Sequence, residues 1–158
     1  MTVSSLWILA LAAVFVGLLA AVVTQIREEF ELKNDPKLAE LRYIIEPMFK
    51  NEHYTGGILD GLNTKNILDS ISLYKGDKSY TINKQKIFLC LTDEKGEYYN
   101  MNMLIFVTLH EIAHCLCDEI GHTDRFNDIF NELLEKAIKM KIYNPSIPII
   151  QDYCTYND

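Results

Sequence analysis

Two imidazoles and a carboxylate fall within five residues of the stretch Val107-Thr108-Leu109-His110-Glu111-Ile112-Ala113-His114. On a helix of 3.6 residues per turn, His110 and His114 project from one face, one turn apart, and a ring nitrogen from each reaches the same metal ion. Glu111, beside the first of them, leans toward an open coordination position. There its carboxylate takes a proton from a water whose pKa a zinc ion has lowered to about 7. The chemistry is zinc-assisted hydrolysis by the H-E-x-x-H pattern, and it requires a third ligand. His122 is the candidate, because Gly121 before it can end the helix in a left-handed turn and bring the chain back toward the metal. Three of the four histidines of the chain thus crowd into thirteen residues. The competing reading is a pair of core histidines satisfied by backbone carbonyls, which is costly for two buried imidazoles beside a carboxylate.

These side chains need a rigid mount. Residues 103–116 predict a helix, with Leu104, Ile105, Phe106, Leu109, Ile112, Ala113 and Leu116 leaving little polar surface apart from the motif. After His122, Thr123 can cap a second helix, whose stripe of Phe126, Ile129, Phe130, Leu133, Leu134, Ala137 and Ile138 packs against the metal helix. An earlier helix, 36–49, opens on Pro36 and buries Leu38, Leu41, Ile44, Ile45 and Met48, with Pro47 fraying or kinking its last turn. Between the first and second of these in chain order the period changes to two. Ile71 and Leu73, then Tyr80 and Ile82, then Ile87, Leu89 and Leu91 alternate around turns at Lys75-Gly76-Asp77 and Asn83-Lys84, which suggests a small antiparallel meander. Its last member, 86–92, is either an edge that holds an extended peptide by strand addition or an ordinary core strand. The fold class expected is α+β, with the meander packed on the metal helix and the second C-terminal helix.

The remainder bounds where such a domain works. The chain has 158 residues, 49% hydrophobic and 23% charged, enough for one domain of moderate size. Residues 6–23 contain no charged or polar side chain and carry Trp7 near their start, which predicts a transmembrane helix through the lipid bilayer. A cleaved signal peptide would need a basic lead that is missing here. Residues 1–26 are then the anchor, 27–35 a juxtamembrane linker and 36–158 the catalytic domain. Arg27, Lys33, Lys37 and Arg42 follow the span and no basic side chain precedes it, which predicts a single-pass protein with a cytosol-facing domain. The four cysteines show no paired spacing and agree with that side. Cys115 and Cys117 lie on different sides of a helix and, like Cys90, read as small core residues rather than structural zinc ligands. His53, beside the glycine-rich 54–61 run, reads as an exposed loop residue with a remote chance of a metal role. A tail tyrosine from 153–156 is a weak candidate for an oxyanion donor.

The run from Ser79-Tyr80-Thr81-Ile82-Asn83-Lys84 through His110-Glu111-Ile112-Ala113-His114 to Gly121-His122-Thr123-Asp124-Arg125-Phe126 resembles the WLM and SprT-like group of small zinc metallopeptidases, a gluzincin-like branch. The shared pattern is H-E-x-x-H, a short connection, then Gly-His with Phe four residues after the His. The resemblance implies a zincin-like fold, zinc held by His110, His114 and His122, Glu111 as general base, and a protein or peptide substrate. Similar stand-alone members occur among predicted proteins of large DNA viruses, so it also suggests a viral source and a viral or virion membrane. The best-understood members cleave proteins crosslinked to DNA and carry basic segments. Here the formal net charge is −7, with no basic stretch near the motif, which argues against nucleic acid as a partner. The expectation is a membrane-anchored zinc endopeptidase. The alternative is a membrane-anchored structural or scaffold protein with an inherited, non-catalytic zinc site.

Overall fold

The computed structural model describes residues 3–50, 57–62, 64 and 67–154. It divides into two compact units, 1–32 and 33–158. The first is one helix, α1 (Val3–Lys33), unbroken through the charged residues 27–33. Its segment Ala10–Lys33 has 24 residues and a mean hydropathy of 2.0. At 1.5 Å per residue that is a rise of about 36 Å, enough to cross a hydrocarbon core of about 30 Å. Trp7, Leu11, Phe15 and Leu18 on it are exposed.

The second unit is α+β. Helix α2 (Pro36–Lys50) runs on through Pro47 and buries Leu38, Leu41, Ile45, Met48 and Phe49 along one face, while Ile44 is half-buried. A single turn of helix, α3 (Ile67–Ser70), leads into the sheet. The strands are β1 (Ser72–Lys75), β2 (Tyr80–Ile82) and β3 (Lys86–Leu89), in the order β1-β3-β2. The expected antiparallel meander is therefore wrong. Strand β3 lies in the middle, parallel to β1 with Leu73 opposite Ile87, and antiparallel to β2 with Thr81 opposite Ile87. The segment between β1 and β2 has to cross the end of β3. Gly76 makes the crossing possible: its N–H donates to the Leu89 carbonyl at 2.9 Å, and a Cβ there would stand 3.1 Å from Phe88 Cβ and 3.0 Å from the Lys78 carbonyl. Burial explains why β3 is central, since Ile87, Leu89, Cys90 and Leu91 are all buried. Within the expected strand 86–92, Lys86–Leu89 is thus the central strand, and β1 and β2 are the two edges of the sheet.

Helices α4 (Met101–Leu116) and α5 (Asp124–Lys139) complete the unit. Asn100 caps α4 by accepting from the Met103 N–H at 2.9 Å. On α4, Leu104, Leu109, Ile112 and Ala113 are almost wholly enclosed, between α5 on one side and β3 and α2 on others. Each large side chain so buried contributes roughly 1.5–3 kcal/mol. On α5, Phe126, Ile129, Leu133 and Ala137 face the core, and Phe130 and Leu134 flank them half-buried.

The tail folds back along the sheet. Tyr153 packs its ring on Tyr99 with centroids 4.8 Å apart and donates its hydroxyl proton to the Cys90 carbonyl, with Ser79 Oγ 3.0 Å away. That proton is committed, so Tyr153 is not the oxyanion donor considered from the sequence; Tyr156 lies outside the described residues. Beside it Cys90 and Cys154 form a disulfide, 64 residues apart in sequence, with Cα atoms 6.3 Å apart. Reading Cys90 as an unpaired core residue is corrected here. The partners come together only because the tail returns to the end of β3, which no local spacing encodes. Cys115 and Cys117 are free, the former half-buried and the latter enclosed.

Candidate metal centre

Helix α4 carries His110, Glu111 and His114 at its C-terminal end, and the helix stops at Leu116 with Cys117 in an extended cap. Gly121 does not form that cap. It sits further along at φ 87°, turning the chain immediately before His122, and Thr123 then caps α5 by accepting from the Phe126 N–H. An ion pair between Arg125 and Asp118 closes the connection. The loop therefore delivers the third histidine to the same place as the first two. One candidate ligand atom from each of His110, His114 and His122 lies within 4.8 Å of the others. The Nε2 atoms of His110 and His122 are 3.0 Å apart. In a tetrahedral site with metal–nitrogen bonds of about 2.0–2.1 Å, such atoms stand roughly 3.3 Å apart, so small movements fit the donor set to an ion.

Phe126 is the floor of this cluster. Its ring stacks on His114 with centroids 4.2 Å apart and meets His110 and His122 edge-on at 5.0 and 4.8 Å. The side chain is 1% exposed, so the imidazoles stand on apolar ground. Burial, followed by the like charges of His114 and His122, pushes the His110 pKa down to about 4. His114 shifts down for the same first reason, with His122 adding to it. Both are therefore neutral donors at neutral pH, the form a metal needs. Glu111 is 5% exposed, and its burial pushes the carboxyl pKa up, opposed by a hydrogen bond from Thr81. That places a proton acceptor of raised affinity beside the candidate ligands, in the lining of the cleft they share.

A cleft of about 470 Å³ opens over the cluster, lined by the three histidines, Glu111, Tyr80, Thr81, Lys84 and Ile120 among others. The edge strand β2 and its hairpin turn form one wall. Lys84 at the turn donates its Nζ to the Cys117 carbonyl, at the negative end of α4, and ties hairpin to helix. The sequence-predicted residues His110, Glu111, His114 and His122 are all brought together, while His53 lies outside the described residues. Thr81, Lys84 and the floor role of Phe126 were missed, although Phe126 is the aromatic residue that the resemblance marks four positions after His122.

No family model matches the chain. The uncharacterized protein 136R of Invertebrate iridescent virus 6 is 47% identical over 124 residues, covering 74% of this chain and 70% of the relative. The chain belongs to that protein's family. The uncharacterized protein 042R of Invertebrate iridescent virus 3 is 44% identical over 100 residues, 63% of each chain. The uncharacterized protein R325 of Acanthamoeba polyphaga mimivirus is 43% identical over 67 residues, 41% of this chain and 34% of the relative. All three are viral proteins, which fits a viral source. No solved structure matches.

Proposed function

We propose that this chain is a membrane-anchored zinc endopeptidase with a zincin-like catalytic domain. The observation that carries the reading is the convergence of three imidazole donors, from a helix and a following loop, with the Glu111 carboxylate in the same cleft. Three imidazole donors match the number of protein ligands that catalytic zinc sites use. His110, His114 and His122 would hold a zinc ion, which would supply Lewis-acid chemistry to water and to the scissile carbonyl. Glu111 accepts the proton of the attacking water and later delivers it to the leaving amine, so its raised pKa suits both halves of the task. The substrate is a polypeptide, laid in extended form by backbone pairing along β2, the edge strand that lines the cleft. Helix α1 serves as the anchor in the bilayer. The net charge of −7 leaves nucleic acid out of the proposed partners.

The disulfide weighs against the cytosol-facing placement expected from the sequence, since such bonds are rare in reducing compartments and persist on virion and cell surfaces. The test is metal analysis of the full chain in detergent, with His122→Ala and Glu111→Gln alongside. Near one zinc per chain is expected in the parent and in Glu111→Gln, with most of it lost from His122→Ala. Peptide hydrolysis should fall by about 10²–10⁴ in Glu111→Gln. Zinc without Glu111-dependent turnover would leave the scaffold reading in place, and absence of stoichiometric metal would remove both.

A further inference from the structure

A general base must aim one carboxylate oxygen at the attacking water, and the backbone of α4 does not fix the last torsion of a glutamate side chain. Among the described residues, the one hydrogen bond to the Glu111 carboxylate comes from another element. Thr81 Oγ1 donates to Glu111 Oε2 at 2.7 Å and lies 3.3 Å from the Glu111 backbone carbonyl. We infer that Thr81 is the positioning residue of the general base, holding Oε2 so that the other carboxylate oxygen serves the cleft.

Three features make the hydroxyl a fixed donor. Thr81 is half-buried between exposed Tyr80 and Ile82, so the two-residue period of β2 turns it toward α4 while its neighbours face away. Its register is set by pairing with Ile87 on the central strand, a residue with no exposed surface. Its β-branched side chain has few rotamers, which carries the backbone position into the hydroxyl direction. The bond from Lys84 to the Cys117 carbonyl then pins the far end of the hairpin to the same helix. Strand β2 is also the edge strand along which the substrate is proposed to lie. The strand that takes the peptide is therefore the strand that aims the base.

This inference rests on the hydrolytic reading, and the experiment separates the two. The full chain in detergent is compared as wild type, Thr81→Val and Thr81→Ser on a generic peptide mixture, together with binding of acetohydroxamate, a zinc chelator that gives its proton to an adjacent carboxylate. Thr81→Val keeps the shape and strand preference while removing the donor. It should retain one zinc and the KM, lose about tenfold in kcat, and bind acetohydroxamate several-fold more weakly. Thr81→Ser should restore most of both. If Thr81→Val fails to fold, the comparison passes to Thr81→Ala against Thr81→Ser, with the same expected difference. Wild-type kcat and hydroxamate affinity in the variant lacking the hydroxyl would overturn the role of Thr81 and leave the peptidase reading standing. A wild-type chain without Glu111-dependent turnover would overturn both.

Discussion

At the histidine cluster, burial acts on neighbouring residues in opposite directions, and pH separates them. His110 binds its proton less readily folded, with a pKa near 4, than unfolded, near 6.5. In the metal-free protein the unfolded chain therefore holds more protons across that window, and His110 and His114 make stability rise with pH there. Glu111 works the other way. Its pKa is raised by folding, so the native state holds the extra proton above pH 4.5 and stability falls as pH rises through that range. Removing the carboxyl should thus steepen the climb: with chelator present, Glu111→Gln gains more stability than wild type between about pH 4.5 and 6.5, measured by urea unfolding. Cys115 offers a second check. Burial holds its thiol pKa up at about 12, despite a hydrogen bond with Thr81, so iodoacetamide at pH 8 should label it slowly until the protein is unfolded. The clustering of His110, Glu111, His114 and His122 was legible because the H-E-x-x-H spacing puts three of them on one helix and His122 follows a turning glycine. Thr81 was not, since its partner lies 30 residues away and threonine is ordinary in a strand.

Elements reproduce this division between local and distant information. Helices α2, α4 and α5 announced themselves by apolar spacing, and α2 and α5 also by Pro36 and Thr123 at their starts, whereas the Asn100 cap of α4 emerged only from the structure. The strands did too, but not their order, because alternation says which face is buried and not which strand is the neighbour. The one available signal was the run Ile87 to Leu91, too continuously apolar for an edge. The contact that matters most between elements is Phe126 of α5 beneath the α4 histidines. Phe126→Ala should cost about 3–5 kcal/mol of stability in denaturant titration and weaken zinc binding as the rings lose their floor. Lys84→Ala removes only the tie at the end of α4. A loss of about 0.3–1 kcal/mol is expected, with zinc content unchanged.

For the whole molecule, the long apolar N-terminal helix was the easiest feature to read and the covalent cross-link the hardest. A span declares itself by eighteen or more apolar residues in succession, whereas the Cys90–Cys154 pair depends on the entire intervening fold. If α1 is the anchor, the full chain stays with membranes through alkaline carbonate washing, and a chain starting at Lys33 does not. Closing a loop of 64 residues restricts the unfolded chain by about 4 kcal/mol, so Cys154→Ser should lower stability by up to that amount. The same loop has a topological side. It encloses α4, α5 and all three candidate ligands, so a single backbone nick anywhere inside it releases no fragment. Self-cleavage within the loop would be invisible on a non-reducing gel and would surface as two bands only once a thiol is added.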